Sequence, residues 1–282
     1  MKFVSYRMPG AQTRPGLVEG AMIHAIEAPT LREYIALAPA QRLARHAQGD
    51  FVALDAVALD APVRPARNVF CVGRNYLEHA KEGARAAGRE LRLPTVPTFF
   101  TKAPTAIAAP NATLDLRAAI SREYDFEAEL AVVIGTECRD VSEREAPDVV
   151  FGYTAINDVT ARDLQRAHGQ WFKGKSLDGT CPIGPWIVTP EEVGDPNALE
   201  LRFRLNGAEK QHSNTSNMIF SVARIIAELS KGMTLLPGDV IATGTPEGVG
   251  FARTPPEFLA DGDAMEVEIE RIGILRNVVR ID

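Results

Sequence analysis

The segment Tyr124-Asp125-Phe126-Glu127-Ala128-Glu129-Leu130-Ala131-Val132-Val133-Ile134-Gly135 constrains this chain more than any other. Alternate residues of a strand share a face. Phe126, Leu130, Val132 and Ile134 then point one way, and Glu127, Glu129, Ala131 and Val133 the other. Two carboxylates thus lie side by side at one end of a strand whose continuation is apolar on both faces. Like charges at this spacing repel, and burying them unpaired is costly. Either the strand end is solvated or a divalent cation holds the pair together. A third carboxylate favours the cation: Asp158 ends the next apolar strand, Gly152-Tyr153-Thr154-Ala155-Ile156-Asn157-Asp158, at the entry to a helix, where its bland role is an N-cap. A set of oxygen ligands is hard and suits Mg²⁺, Mn²⁺ or Ca²⁺ better than zinc. Three carboxylates also leave coordination positions open for water and substrate.

Composition excludes several alternatives. The 282 residues carry a net charge of −6 with no long run of Lys or Arg, so a nucleic-acid partner is not expected. No stretch approaches the roughly 20 apolar residues of a membrane span, and the N-terminus lacks the apolar core of a signal peptide. Three cysteines, odd in number and far apart, fit a reducing cytoplasm rather than a disulfide framework. They read as small buried hydrophobes.

Residues 1–65 read as a small N-terminal domain, with a helix over roughly Thr30 to Ala47 on which Leu31, Tyr34, Ile35, Leu37 and Leu43 share a face. Ala61-Pro62-Val63-Arg64-Pro65 is the expected linker. From residue 66 to 282 the pattern is β-rich: strands over Asn68–Val72, Phe126–Ile134 and Val149–Ile156, a hairpin turning at Asn206-Gly207, and strands over Val240–Thr243 and Ala264–Ile269. Helices are expected over Thr160–Ala167 and Ile219–Leu229. Strands do not alternate regularly with helices, so the class is α+β, mostly β.

Gly73-Arg74-Asn75-Tyr76-Leu77-Glu78-His79-Ala80-Lys81-Glu82-Gly83 starts where a strand ends. Asn75 with Glu78 resembles a capping box. In the helix that follows, His79 and Glu82 share a face, the arrangement in which a carboxylate fixes the tautomer of a general base; an incidental surface pair is the alternative. Arg162, Gln165 and Arg166 follow Asp158 on a short helix, where an Arg could hold a substrate carboxylate in bidentate fashion. Thr243-Gly244-Thr245-Pro246-Glu247-Gly248-Val249-Gly250 follows a strand and could offer backbone N–H groups to an anion, without matching a nucleotide-binding pattern. His24, His46, His168 and His212 read as surface or structural histidines.

Together these motifs, with Lys175-Ser176-Leu177-Asp178 and Asn214-Thr215-Ser216, resemble the fumarylacetoacetate hydrolase family over about residues 66–282. The resemblance implies a mixed β-sandwich-roll catalytic domain and a homodimer. It implies Mg²⁺ or Mn²⁺ on Glu127, Glu129 and Asp158, and His79 and Glu82 as the catalytic dyad of a mobile lid. Lys175 would be catalytic. Arg74, Tyr76, Arg162 and Gln165 would contact substrate, and Thr245 would receive the oxo-acid carboxylate. The expected substrate is a small 2-oxo or 2,4-dioxo acid of the kind met in the catabolism of aromatic compounds. Hydrolysis of an acylpyruvate such as fumarylpyruvate is the leading reading: water activated by His79 attacks, and the metal and Lys175 stabilise a pyruvate enolate. Oxaloacetate decarboxylation and 2-hydroxydienoate isomerisation pass through the same kind of enolate. A non-catalytic binder of metal and organic acid is the rival class, and the His79–Glu82 dyad argues against it. Two features depart from the family pattern: His212 stands where related sequences often carry an acidic residue, and Gly83–Phe100 is longer and more basic.

Overall fold

The computed structural model describes residues 1–282 except 44, 87 and 89, and only the backbone of Leu43 and residues 46–50. It begins with an antiparallel set: β1 (Lys2–Arg7), β2 (Arg14–Glu19), β3 (Met22–Ile26), and, after the short helices α1 (Leu31–Ile35) and α2 (Pro39–Leu43), β4 (His46–Ala53) and β5 (Ala58–Asp60). The helix expected over Thr30–Ala47 is therefore two helices followed by a strand. Thr30 caps the first through its side chain. Pro39, tolerated only in a helix's first turn, restarts the second. The face expected to include Leu43 lies partly outside the described side chains.

β6 (Val69–Gly73), α3 (Leu77–Ala86), β7 (Thr98–Lys102), β8 (Ile107–Ala108), β9 (Thr113–Leu116), β10 (Tyr124–Asp125) and β11 (Ala128–Ile134) follow. Next come β12 (Val150–Asn157), β13 (Thr160–Ala161), α4 (Arg162–Ala167), α5 (Phe172–Lys175), β14 (Cys181–Val188) and α6 (Pro190–Val193). The chain ends with β15 (Glu200–Leu205), β16 (Ala208–Asn214), α7 (Val222–Ser230), β17 (Val240–Ala242), β18 (Ala264–Ile269) and β19 (Gly273–Ile281). The fold is α+β and mostly β.

A twelve-stranded mixed sheet runs β4-β3-β2-β1-β14-β12-β11-β17-β6-β7, with β5 and β8 pairing off that path. The N-terminal strands join it where β1 pairs antiparallel with β14, Phe3 opposite Ile187. A five-stranded sheet, β16-β15-β18-β19-β9, packs against it. The alternation along β11 holds: Phe126, Leu130, Val132 and Ile134 enter the core shared with Leu201, Phe203, Met265 and Val267 of the second sheet. Ala131 and Val133 enter another core with Leu31, Tyr34 and Ile35 of α1. Phe126 stacks on Phe203 at 4.3 Å, locking the two sheets beside the carboxylates. The Asn206-Gly207 turn takes φ of 53° and 79°, the mirror-image turn that only such residues make cheaply.

Three local expectations change. Asn75 does not cap α3: its amide accepts from Phe220 N at 2.8 Å and donates to Thr243 O at 2.8 Å and Phe220 O at 3.1 Å, stitching the β6–α3 turn into the interior. The helix expected from Thr160 starts at Arg162, because Thr160 and Ala161 pair with β10. Its N-cap is Ala161, so Asp158 is free of any capping duty. No helix among the described residues is long and apolar enough to cross a membrane.

Candidate active site

β11 and β12 pair antiparallel with Ala128 opposite Asn157, so Glu127 and Asp158 leave the sheet at the same end. Two hydrogen bonds fix that end: Asp158 N donates to Glu127 O at 2.8 Å, and Glu127 N to Asn157 Oδ1 at 3.0 Å. One carboxylate oxygen from each of Glu127, Glu129 and Asp158 lies within 4.8 Å of the others. All three residues are at most 5 % exposed, which rules out the solvated-strand-end reading.

Burial of this much negative charge demands compensation. Lys175 Nζ bridges Glu127 Oε2 at 2.6 Å and Asp158 Oδ2 at 2.7 Å. Lys102, fully buried, sits 2.7 Å from Asp158 Oδ1 and donates to Val159 O at 3.0 Å. Arg162 pairs with Asp125 Oδ2 at 2.8 Å and Glu127 Oε1 at 2.7 Å. Four carboxylates (Asp125, Glu127, Glu129, Asp158) thus face three cations. The shortfall falls on Glu129, whose described contact is the Gly244 N–H at 2.7 Å. Burial, then repulsion from Asp158 and Glu127, pushes the Glu129 carboxyl well above the usual range. Glu127 goes the other way: burial opposes ionisation, but Lys175, Arg162 and His79 outweigh it and hold the group at about 2.

The donor set fits a hard divalent cation. Three buried carboxylate oxygens gathered within 4.8 Å of one another are the hard, anionic donors that Mg²⁺ or Mn²⁺ takes. A cation would also relieve the uncompensated charge at Glu129.

α3 carries the second group. His79 Nδ1 lies 2.8 Å from Glu82 Oε1, and Glu82 Oε2 accepts the Gly248 N–H at 2.9 Å. With Nδ1 donating to that carboxylate, Nε2 keeps its lone pair. Gly248 has φ +98°, and a Cβ there would lie 2.3 Å from Lys210 O, so only glycine presents this amide to Glu82.

His79, Glu127, Glu129, Arg162, Gln165, Lys175, Thr245 and Arg74 line one cleft of about 650 Å³. Asp158 and Glu82 stand behind that wall. Tyr76 is fully buried off the cleft wall, its hydroxyl unpartnered and its ionisation suppressed by burial. Arg162 differs from its expected role. It is 4 % exposed, spends its nitrogens on Asp125, Glu127 and Gln165 Oε1 (3.1 Å), and stacks over Phe251. It braces Glu127 instead of presenting an open fork. Arg74 is exposed at the cleft with its guanidinium over Trp171. Of the remaining histidines, His212 pairs with Glu200 on the surface, His24 lies near Glu19, His168 is exposed, and the His46 side chain lies outside those described.

Lys102, Asp125 and Gln211 were missed from sequence. Lys102 and Asp125 lie in or beside apolar strands and Gln211 in a polar one, and pairing across 57 or 83 residues has no local signal. The one hint was Lys102 closing the apolar run Thr98-Phe99-Phe100-Thr101, where a buried Lys requires an anionic partner.

Residues 68–280 match the model of the fumarylacetoacetate (FAA) hydrolase C-terminal family. The chain is 45% identical to the oxaloacetate tautomerase YisK of Bacillus subtilis (strain 168), over 82% of this chain and 76% of that protein. It is 44% identical to the 2,4-didehydro-3-deoxy-L-rhamnonate hydrolase of Sphingomonas sp. (strain SKA58), over 77% and 75%. Among solved structures, the fumarylacetoacetate hydrolase of psychrophilic Exiguobacterium antarcticum superposes with a TM-score of 0.84 at 40% identity, covering 100% of both chains. The match spans the strands that carry the three carboxylates, the helix that carries the dyad and the loop between them, and the chain belongs to the fumarylacetoacetate hydrolase family.

Proposed function

We propose that the protein is a Mg²⁺- or Mn²⁺-dependent hydrolase that splits a C–C bond in an acylpyruvate, a 2,4-dioxo acid. The observation that carries this reading is that an oriented imidazole and a buried carboxylate triad line the same cleft. A cation held by Glu127, Glu129 and Asp158 would supply Lewis-acid stabilisation of charge on the oxo-acid oxygens.

His79 Nε2 takes a proton from water, which attacks the C4 carbonyl; Glu82 holds the tautomer and balances the imidazolium. The C3–C4 bond breaks, its electrons pass into the pyruvate enolate, and a proton returns to C3. Lys175 has three N–H donors. Two are spent on Glu127 and Asp158, which leaves one for the oxygen that gains charge. The cleft has room for a substrate larger than oxaloacetate, which supports a longer acyl group.

Oxaloacetate tautomerisation is the second reading, favoured by the 45% identity to a tautomerase. It needs only proton transfer at C3, within reach of the same chemistry. Metal-stripped protein assayed with and without Mg²⁺ or Mn²⁺ separates the two. Pyruvate released with the matching acid from fumarylpyruvate or acetylpyruvate, only with metal, supports hydrolysis. Accelerated keto–enol exchange of oxaloacetate with no cleavage of dioxo acids replaces it with the tautomerase, and CO₂ from oxaloacetate replaces it with a decarboxylase.

A further inference from the structure

Gln211, on β16, is 1 % exposed and no sequence motif includes it. Its side-chain orientation is fixed by its neighbours. Oε1 accepts the Ala128 N–H at 3.0 Å, and Nε2 donates to Pro246 O at 2.9 Å. Reversing the amide would set two donors and two acceptors against each other, so the nitrogen must face the loop. That nitrogen also donates to Thr245 Oγ1 at 2.8 Å.

A hydroxyl that accepts from an amide keeps its own proton for another partner. Two residues earlier, Thr243 Oγ1 spends its proton on Leu130 O at 2.9 Å. Thr245 has no such outlet: among the described residues nothing accepts its proton, although the residue is 2 % exposed and lines the cleft. A buried O–H without an acceptor is costly unless a ligand supplies one. The same framework sets the position of this donor relative to the carboxylate triad. Gln211 grips Ala128, between Glu127 and Glu129, and the Gly244 N–H grips Glu129 Oε2.

We infer that Gln211 is a positioning residue that turns the Thr245 hydroxyl into an obligate donor to the carboxylate of the bound oxo acid. The inference rests on the proposed reading that the cleft binds such an acid. A charge-assisted hydrogen bond is at stake, so the expected loss is about tenfold in affinity.

The test is pyruvate binding to the Mg²⁺-loaded protein by calorimetry, with Mn²⁺ affinity measured in parallel by electron paramagnetic resonance. Gln211→Met is expected to raise the pyruvate Kd about tenfold while leaving Mn²⁺ affinity within about twofold; Gln211→Asn, which withdraws the amide by one methylene, serves if the Met variant does not fold. Thr245→Val is expected to match that loss, and Thr245→Ser to restore most of it. The double variant Gln211→Met/Thr245→Val should bind no more weakly than Thr245→Val alone, because one residue acts through the other. In turnover, the loss should fall on KM more than on kcat. Three results overturn the inference: a pyruvate Kd unchanged by Gln211→Met, losses that multiply in the double variant, or a parallel collapse of Mn²⁺ affinity and melting temperature. Wild-type protein that does not bind pyruvate overturns it too. Binding needs no turnover, so failure to cleave dioxo acids would remove the hydrolase reading and leave this result standing.

Discussion

Glu127, Glu129 and Asp158 sit where two central strands of a twelve-stranded sheet end, whereas His79 and Glu82 ride on a ten-residue helix that buries only His79 and Ala80. The carboxylate wall is held by strand pairing on both sides of β11, by a stacked aromatic pair and by three buried cations. The helical wall is anchored before its first turn by Asn75 and along its length by the Glu82–Gly248 hydrogen bond. Elements with few buried apolar contacts open at low free-energy cost. The difference separates the two walls physically: the carboxylates are fixed by the central sheet, and the His79–Glu82 pair is carried to the cleft by a helix held at Asn75 and Gly248.

Removing a carboxylate should break the rigid wall first. Glu127→Ala deletes a ligand and leaves Arg162 and Lys175 facing each other without their shared anion. Metal affinity is expected to fall by more than about 100-fold, measured by Mn²⁺ titration, with activity lost alongside it. Retained affinity would refute the triad. His79→Ala tests the other wall. Turnover should drop on the order of 10²–10⁴-fold while Mn²⁺ affinity stays within about threefold. Unchanged turnover on every cleaved oxo acid would end the general-base role.

What the sequence made legible follows the same division. The cluster was readable because strand alternation is local: it put Glu127 and Glu129 on one face, and Asp158 at the end of the next apolar run weighed against a merely solvated strand end. The dyad was readable from helical spacing, since His79 and Glu82 lie three apart. What compensates the charge was not readable. Lys102 reaches Asp158 across 56 residues and Arg162 reaches Asp125 across 37, and Arg162 looked like a substrate clamp because sequence shows a cation but not its partners. Asn75 looked like a helix cap for a similar reason. Its local pattern fits one, but the Phe220 N–H takes the amide oxygen a cap would use, and the buried carbonyls of Phe220 and Thr243 hold the amide nitrogen. β14 and β19 carry no motif: β14 is placed by its pairing with β1 and β12, and β19 by its hairpin with β18 and its parallel pairing with β9.

Glu82→Gln sharpens the comparison. Its carboxamide oxygen can still accept from Gly248 N, but its nitrogen then faces His79 Nδ1 and forces the proton to Nε2. Docking of α3 should survive, seen as unchanged hydrogen-exchange protection of residues 78–86, while kcat falls on the order of tenfold to 100-fold. Loss of protection with unchanged kcat would show that Glu82 is only a latch.

The smallest effect expected is in stability against pH, and it sets the two glutamates of the rigid wall against each other. Glu129 is raised well above 4.5 in the folded protein. Between 4.5 and that raised value the folded state keeps a proton the unfolded state has lost, so stability falls as pH rises through the window. Glu127 is lowered to about 2. Its contribution is present in full above 4.5 and is lost as pH falls from there towards 2. In metal-free protein the joint contribution of these two glutamates to stability should therefore be largest near the ordinary glutamate range and decline on the alkaline side. A bound divalent cation favours the ionised form of Glu129 and competes with its proton. Mg²⁺ should then remove the alkaline decline, so that the melting-temperature gain from the metal grows with pH. Scanning calorimetry with and without Mg²⁺ reads this directly. A metal-induced gain that does not change with pH would mean that Glu129 is already ionised in the metal-free protein, and that the three buried cations suffice without a fourth.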